Sequence, residues 1–217
     1  MTKMKFLVTA GPTREPIDPV RFLSNRSSGK MGYAIAQAAL DAGHAVTLIS
    51  GPVSLPKPSG AEMVHVLTSD DMFNAVQQHV NDPGVDCLVM AAAVADFKPA
   101  EYRRQKIKKN EALAQIALVP TRDILSSLRI TQKKIVRVGF AAETESLAEN
   151  AQKKLREKNC DLIVGNDVSR MDTGFESDDN EVTLFFKSGE MVVLPRENKI
   201  LLAHKLVKYF VALAEKR

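Results

Sequence analysis

Alternation of strand-like and helix-like segments is the feature that most limits how this chain folds. Short apolar runs such as Lys5–Ala10 (KFLVTA) and Asp86–Val94 (DCLVMAAAV) are separated by segments with apolar residues at helical spacing. Strands that are connected through helices form mostly parallel sheets with right-handed crossovers. The pattern therefore predicts an α/β protein with helices on both faces of such a sheet.

Two segments depart from this alternation. The segment Glu181–Leu194 predicts a β-hairpin that turns at Ser188 and Gly189, near the C-terminus. Lys98–Glu111 is polar and basic and lacks an apolar stripe, so we expect a protruding arm. With no repeat or linker in view, the sequence predicts one Rossmann-like domain over residues 1–217. Further strands are expected at 45–50, 62–67, 114–119, 135–142 and 161–166, and helices at 30–42, after 68, near 122, at 146–158 and at 198–214.

Composition narrows the class of protein. The chain has 217 residues, of which 45% are hydrophobic and 26% charged, with a net charge of +4 and a pI near 9.0. This charge is too small to indicate nucleic acid, but it suits small anionic substrates. No signal peptide or membrane-spanning run is evident. Cys87 and Cys160 lie in apolar runs without a CxxC neighbour, which favours buried, reduced thiols in a cytoplasmic protein.

The long loop after the first strand carries the first candidate site. Gly29 and Gly32 stand where the next helix begins, and a helix start with free N–H groups favours an anion. A plain helix cap would explain these residues equally well on spacing alone. The length of the loop, which also contains Arg14, Arg21 and Asn25, favours a binding role because simple connections are usually ~2–6 residues long.

Two other stretches carry candidate residues. In AAAVADF the alanines would let a ligand lie against the backbone, and Asp96 follows the strand, although close helix packing and a helix cap are the alternatives. The KIKK run at Lys106–Lys109 is typical of a solvated face when it is taken alone. Tyr102 and Lys106 also form the YxxxK spacing of short-chain dehydrogenases. They lie in an aperiodic polar segment, however, and the first loop lacks GxGxxG spacing.

Taken together, TAGPTREPIDPVRFLSNRSSGKMG, AAAVADF, KIKK, GFAAET and GNDV resemble the phosphopantothenate–cysteine ligases of coenzyme A biosynthesis. The motifs occur in the family's order over nearly the whole chain. Many bacterial members are fused behind a flavin-dependent decarboxylase, so this chain resembles a stand-alone ligase for which no FMN is expected. The runner-up is an NAD(P)-dependent oxidoreductase, and a non-enzymatic nucleotide-binding module comes third.

The resemblance implies a two-step reaction. The carboxylate of 4′-phosphopantothenate attacks the α-phosphate of CTP and releases pyrophosphate, and the amine of L-cysteine then displaces CMP from the acyl-cytidylate. Mg²⁺ is implied by the triphosphate, with unknown ligands. At Thr121–Leu125 the sequence reads TRDIL where bacterial relatives usually read Asn-Pro-Asp-Ile, which leaves ATP open as the nucleotide.

The resemblance also implies roles for individual residues. Asn25 would act on the acyl-cytidylate, Lys106 would be the lysine of a flap over about 98–111, and Arg21 would reach the phosphopantothenate of a partner subunit. It therefore implies a homodimer with a shared active site and no nucleic-acid or membrane partner. The substrate-binding positions that the resemblance implies, besides Arg21, are Asn25, Ala92, Ala93 and Asp96. The nucleotide-binding positions that it implies are Ser27, Gly29, Gly32, Asp96, Lys106, Arg122, Asp123, Ile124, Leu125, Phe140, Lys154, Lys158 and Asn166.

Overall fold

The computed structural model describes residues 2–108, 115–131, 134–143, 145–167 and 177–217. Some features discussed above lie outside these ranges: Lys109 of KIKK, residues 109–111 of the arm, residue 114 of an expected strand, Thr144 and Val168.

Seventeen elements follow one another along the described chain. The helices are α1 Lys30–Asp41, α2 Ser69–His79, α3 Ile124–Ser127, α4 Leu147–Glu157 and α5 Lys199–Glu215. The strands are β1 Lys5–Ala10, β2 Arg14–Pro16, β3 Phe22–Ser24, β4 Ala45–Ser50, β5 Glu62–His65, β6 Val85–Met90, β7 Phe97–Pro99, β8 Leu118–Pro120, β9 Val136–Glu143, β10 Leu162–Asp167, β11 Asp179–Phe186 and β12 Met191–Asn198.

One eight-stranded sheet organises the molecule, in the order β12-β11-β10-β9-β6-β1-β4-β5. Six neighbouring strands, β10, β9, β6, β1, β4 and β5, pair in parallel, whereas β11 pairs antiparallel with both β10 and β12. The carboxyl ends of six strands therefore meet at one edge, where open parallel sheets bind their ligands.

Helices cover both faces of this sheet. Alternate residues of β1 point to opposite sides: Phe6 and Val8 pack in the core that includes α1 and α5, while Leu7 packs in the core that includes α2. A third, smaller cluster joins α4 to β9 and β10 through Ala151 and Leu155. The α/β fold and its mostly parallel sheet were predicted correctly.

The sequence did not predict two small sheets. β2 pairs with β3 inside the long first loop, and β7 pairs with β8 at the base of the basic arm. The run Asp86–Val94 was expected to be strand throughout, but β6 ends at Met90, and Pro12 and Ala93 then form an isolated bridge. The hairpin of β11 and β12 is present, with Gly189 at φ +91° in its turn.

Both cysteines are buried and free, as expected. Burial raises the pKa of Cys87 and raises that of Cys160 to about 11, so both thiols stay protonated. Among the described helices, none is long and apolar enough to cross a membrane.

Candidate active site

A cavity of about 640 Å³ opens at the carboxyl edge of the parallel strands. Its floor is formed by residues after β6 and by the last residues of β9 and β10, and its rim by the start of α1 and by α4. Pockets of this volume hold small-molecule ligands. The cavity brings together most of the residues singled out from sequence: Asn25, Ser27, Gly29, Gly32, Ala92, Ala93, Asp96, Arg122, Asp123, Ile124, Leu125, Phe140, Lys154, Lys158 and Asn166.

The N-terminus of α1 faces this cavity without a side-chain cap from the described residues. Gly29 is the N-cap at φ +79°, and the first turn carries no acidic residue. At α2, by contrast, Thr68 and Asp71 form a capping box, and the carboxylate of Glu15 accepts from the Ser69 amide at 2.8 Å. An uncapped helix start is a binding place for an anion.

The two glycines at this helix start are required by packing as well. A Cβ on Gly32 would lie 2.6 Å from the Ala10 Cβ and 3.0 Å from the Thr9 oxygen, and one on Gly29 would lie 2.8 Å from Val53. Gly32 therefore lets α1 lie close against β1, and Gly29 supplies the left-handed backbone that turns the chain into the helix.

Asn25 ties the loop before α1 to the chain after β6. Its Nδ2 donates to the carbonyl oxygens of Ala93 at 3.2 Å and Val94 at 3.1 Å. Thr121 holds the same segment, since its hydroxyl donates to the Ala95 oxygen at 2.6 Å. Two side chains thus hold the post-β6 segment, and the amide side chain of Asn25 lies in the cavity wall.

Ion pairs hold the two lysines of α4 in place. The Nζ of Lys158 lies 2.9 Å from Asp123, which also caps α3, and the Nζ of Lys154 lies 3.4 Å from Glu143. Burial acts to raise the pKa of Asp123, but Lys158 and the Ser126 amide outweigh it and keep that pKa below its usual value. Both ammonium groups are therefore oriented before any ligand binds.

Two polar groups in the same wall have distinctive surroundings. The Oδ1 of Asn166 is buried and has no hydrogen-bond partner among the described residues. Buried polar atoms are normally satisfied, so this oxygen is a candidate to accept from a ligand. Arg122 stacks its guanidinium on the Phe73 ring at 4.2 Å, an attractive cation–π contact that fixes the loop before α3.

The sequence reasoning missed Lys199, the first residue of α5. Its side chain lines the cavity, the residue is 6% exposed, and its Nζ donates to the Ser177 oxygen at 2.6 Å. Burial and the charge of Lys30 lower its pKa, against the opposing effect of Asp178 and Asp179. A positive charge at a helix N-terminus is unfavourable for the helix dipole, so Lys199 at the start of the expected helix could have been recognised from sequence as a candidate binding residue. The other lining residues not singled out include Lys30, Ser28, Arg26, Thr121 and Asn180.

Arg21 and Lys106 do not line the cavity. Arg21 instead forms an ion pair with Asp18 at 2.5 Å and donates to the main-chain oxygen of Ile107 at 2.8 Å. Lys106 is exposed on the arm. Lys106, to which the resemblance gives the role of a flap lysine, therefore lies outside the cavity of its own chain. Tyr102 and Lys106 are not on a helix, so the YxxxK spacing does not form the dehydrogenase arrangement.

Comparison with known proteins identifies the family. Residues 1–213 match the family described as "DNA/pantothenate metabolism flavoprotein C-terminal domain". The chain belongs to this family. Within it, the chain is 47% identical over 210 residues to the coenzyme A biosynthesis bifunctional protein CoaBC of Bacillus subtilis, and 45% identical over 205 residues to that of Vibrio vulnificus. These matches cover 96% and 93% of this chain but 51% and 50% of the relatives, so the chain spans about half their length.

A solved structure within the family shares the fold. The crystal structure of the C-terminal domain of CoaBC matches with a TM-score of 0.84 and 41% identity, covering 100% of this chain and 98% of that one. The family resemblance stated from the motifs is thereby confirmed.

Proposed function

We propose that this chain is a ligase that joins 4′-phosphopantothenate to L-cysteine, with CTP as the activating nucleotide. The observation that carries the proposal is the charge of the cavity beside the start of α1, which no described side chain caps. In the described residues its lining has six cationic side chains against two carboxylates, a balance that suits polyanionic substrates. The CoaBC relatives, named for coenzyme A biosynthesis, give the proposal its chemical direction.

The first half-reaction needs two anions to be held together. A carboxylate oxygen of phosphopantothenate forms a bond to the α-phosphorus of CTP, and the bond from that phosphorus to pyrophosphate breaks. We assign the polyphosphate to the N–H groups at the start of α1 and to the preoriented Lys154 and Lys158. Positioning and charge neutralisation account for catalysis of this kind, without a protein nucleophile.

The second half-reaction needs a polarised acyl group. The cysteine amine attacks the acyl carbon, the bond from that carbon to CMP breaks, and the amine loses a proton. Asn25 is our candidate donor to the oxygen on which charge develops, and the small alanines 91–93 leave room for the acyl chain against the backbone. For this role the Asn25 Nδ2 has to give up one of its hydrogen bonds to the Ala93 and Val94 carbonyls and donate to the substrate oxygen in its place.

Lys199 and Lys30 extend the cationic wall toward α5. We assign them to a phosphate group, either of the triphosphate or of phosphopantothenate. Support comes from the near-complete burial of Lys199 beside a second lysine, an arrangement that an anion would stabilise.

The residues present fit Mg²⁺ that arrives with the triphosphate rather than a site built by the protein. Among the described residues, no group of three or more acidic, histidine or cysteine side chains could hold a metal ion. Asp123 is engaged by Lys158, which leaves the exposed Asp96 as the cavity carboxylate for a phosphate-bound ion. Bound there, Mg²⁺ would neutralise phosphate charge.

A homodimer is part of the proposal. Five large apolar or aromatic side chains are exposed on β3, on the β7–β8 pair and on the arm: Phe22, Phe97, Tyr102, Leu118 and Val119. Contiguous exposed apolar surface marks protein interfaces. A two-fold dimer would cover this surface and bring the arm of one protomer toward its partner.

Product formation tests the function. The purified chain is incubated with CTP, Mg²⁺, phosphopantothenate and cysteine, and each substrate is left out in turn. Mass spectrometry should find phosphopantothenoylcysteine only in the complete mixture. A product that forms without a nucleotide, or a chain that oxidises NADPH and makes no amide, would contradict the proposal and favour the oxidoreductase.

A further inference from the structure

The basic arm is attached to the body of the protein through the main chain of Ile107. The Ile107 N–H donates to Oδ2 of Asp18 at 3.1 Å, and the Ile107 carbonyl accepts from Nη2 of Arg21 at 2.8 Å. The N–H and the carbonyl of Ile107 are thus both bound by the Asp18–Arg21 ion pair, whose members lie 89 and 86 residues earlier in the chain. A third bond, from the Arg103 N–H to the Ile17 oxygen at 2.9 Å, joins the same two segments.

Asp18 lies at the centre of this contact. Its side chain is completely buried. Oδ1 accepts from the amides of Val20 and Arg21, which closes the turn between β2 and β3, while Oδ2 accepts from the Arg21 guanidinium and from Ile107. The hydrogen bond from Arg21 holds the pKa of Asp18 well below its usual range, so the carboxylate stays ionised near neutral pH.

The two oxygens therefore have separate tasks. One shapes the turn, and the other joins Arg21 to the arm. An Asx-turn needs one side-chain oxygen, which accepts from the backbone two residues on, so Oδ1 alone accounts for the turn. Oδ2 is buried, and besides its local contact with Arg21 it has one long-range partner, the Ile107 N–H, so the second oxygen serves the arm.

We propose that Asp18 is a positioning residue that, together with Arg21, docks the arm at Ile107 and so determines where the neighbouring Lys106 ammonium reaches. The part played by Lys106 in the reaction rests on the proposed function, whereas the docking itself does not. Arg21 is then assigned to the arm of its own chain. This contact is additional to the role implied by the family resemblance, in which Arg21 reaches the phosphopantothenate of a partner, because the Arg21 side chain is 48% exposed.

Amide hydrogen exchange tests the docking directly. Asp18→Asn keeps an oxygen for the turn but places an NH₂ group opposite the Arg21 guanidinium and the Ile107 N–H, so donors face donors. We expect the Ile107 amide to exchange about tenfold faster or more in this variant, because one main-chain hydrogen bond and its charged partner are lost. Arg21→Gln leaves the Asp18 turn intact but removes the donor to the Ile107 carbonyl, so the Ile107 amide should also exchange faster, by less than in Asp18→Asn.

The matched control is Arg103→Gln. It removes one arm charge, whose guanidinium lies 3.7 Å from Glu101, and leaves its main-chain bond to Ile17 in place. Its Ile107 exchange should equal that of the unmodified chain. Unchanged Ile107 exchange in both Asp18→Asn and Arg21→Gln, with the fold intact by circular dichroism, overturns the proposal.

Kinetics test whether the docking acts through Lys106. In Asp18→Asn we expect kcat for CTP-dependent pyrophosphate release to fall by about 10- to 100-fold, with KM for CTP little changed, because a misplaced group costs rate more than binding. Adding Lys106→Gln should lower kcat no further. Multiplied effects in the double variant would refute action through Lys106. If the unmodified chain releases no pyrophosphate, the proposed function fails, and Ile107 exchange still decides the docking.

Discussion

Side chains around the cavity fix one another before a ligand enters. Lys158 is held by Asp123, Lys154 by Glu143 and Asn25 by two carbonyl oxygens. Preorganised charges and donors stabilise a transition state at little further cost in reorganisation. The motifs predicted which residue types meet here. They could not predict the ion pairs, because the motifs do not show which carboxylate lies beside which lysine of α4 in the folded chain.

Asn25→Asp should separate the two half-reactions. A carboxylate at this position would repel the charge that develops on the acyl oxygen, and loss of such a donor typically costs about 10²–10³ in rate. We expect pyrophosphate release to persist while amide formation stalls, so that the acyl-cytidylate accumulates in mixtures quenched for mass spectrometry. Asn74→Asp makes the same change on the exposed face of α2 and should behave as the unmodified chain. Normal amide formation in Asn25→Asp would remove Asn25 from the mechanism.

Lys199→Gln should weaken the binding of a phosphorylated substrate. A charged hydrogen bond contributes about 1.5–3 kcal/mol, which corresponds to a rise of roughly 10- to 100-fold in KM. Separate titrations of CTP and phosphopantothenate will show which phosphate is involved. Lys208→Gln, at an exposed position on the same helix, is the control. If neither KM rises, Lys199 serves only to hold the main chain at Ser177.

At the scale of elements, the periodic pattern predicted the long strands and helices, several to within one or two residues. It missed β2, β3 and β7, three-residue strands too short to show a period. The turn between β2 and β3 is held by the local contact of Asp18 with Arg21 and is joined to the arm by the long-range bond of Asp18 with Ile107, and hydrophobic periodicity records neither contact. The docking of the arm was unpredictable for the same reason, and so was the place of Lys106.

His44, in the connection between α1 and β4, should make the free energy of unfolding depend on pH. This residue is 4% exposed, its Nδ1 accepts from the Met4 amide, and its Nε2 has no partner among the described residues. Burial lowers its pKa. Below about pH 6.5 the unfolded chain therefore binds a proton that the folded chain does not, and stability falls by at most about 1.4 kcal/mol per pH unit.

Urea unfolding at pH 7, 6 and 5 measures this effect. His44→Asn retains an acceptor for Met4 and should flatten the dependence of the free energy of unfolding on pH over this window. A slope in His44→Asn equal to that of the unmodified chain would show that other groups cause it.

At the scale of the whole molecule, the cavity lies at the carboxyl ends of β6, β9 and β10, and exposed apolar residues lie on the two small sheets, β2–β3 and β7–β8. We expect a dimer by multi-angle light scattering. The double variant Phe97→Ser with Leu118→Ser should shift it toward monomer, since these side chains are 55% and 48% exposed on the β7–β8 pair. Met191→Ser with Val193→Ser removes comparable exposed apolar surface from β12 and should not. A monomeric unmodified chain would contradict the dimer.

Single-turnover pyrophosphate release in the absence of cysteine tests the central claim most directly. The chain is mixed with CTP, Mg²⁺ and phosphopantothenate, and pyrophosphate is measured together with the acyl-cytidylate. The ligase account predicts about one equivalent of pyrophosphate per site, accompanied by the same amount of acyl-cytidylate, and no release when phosphopantothenate is omitted. Release that is independent of phosphopantothenate, or no release from any nucleoside triphosphate, would contradict it.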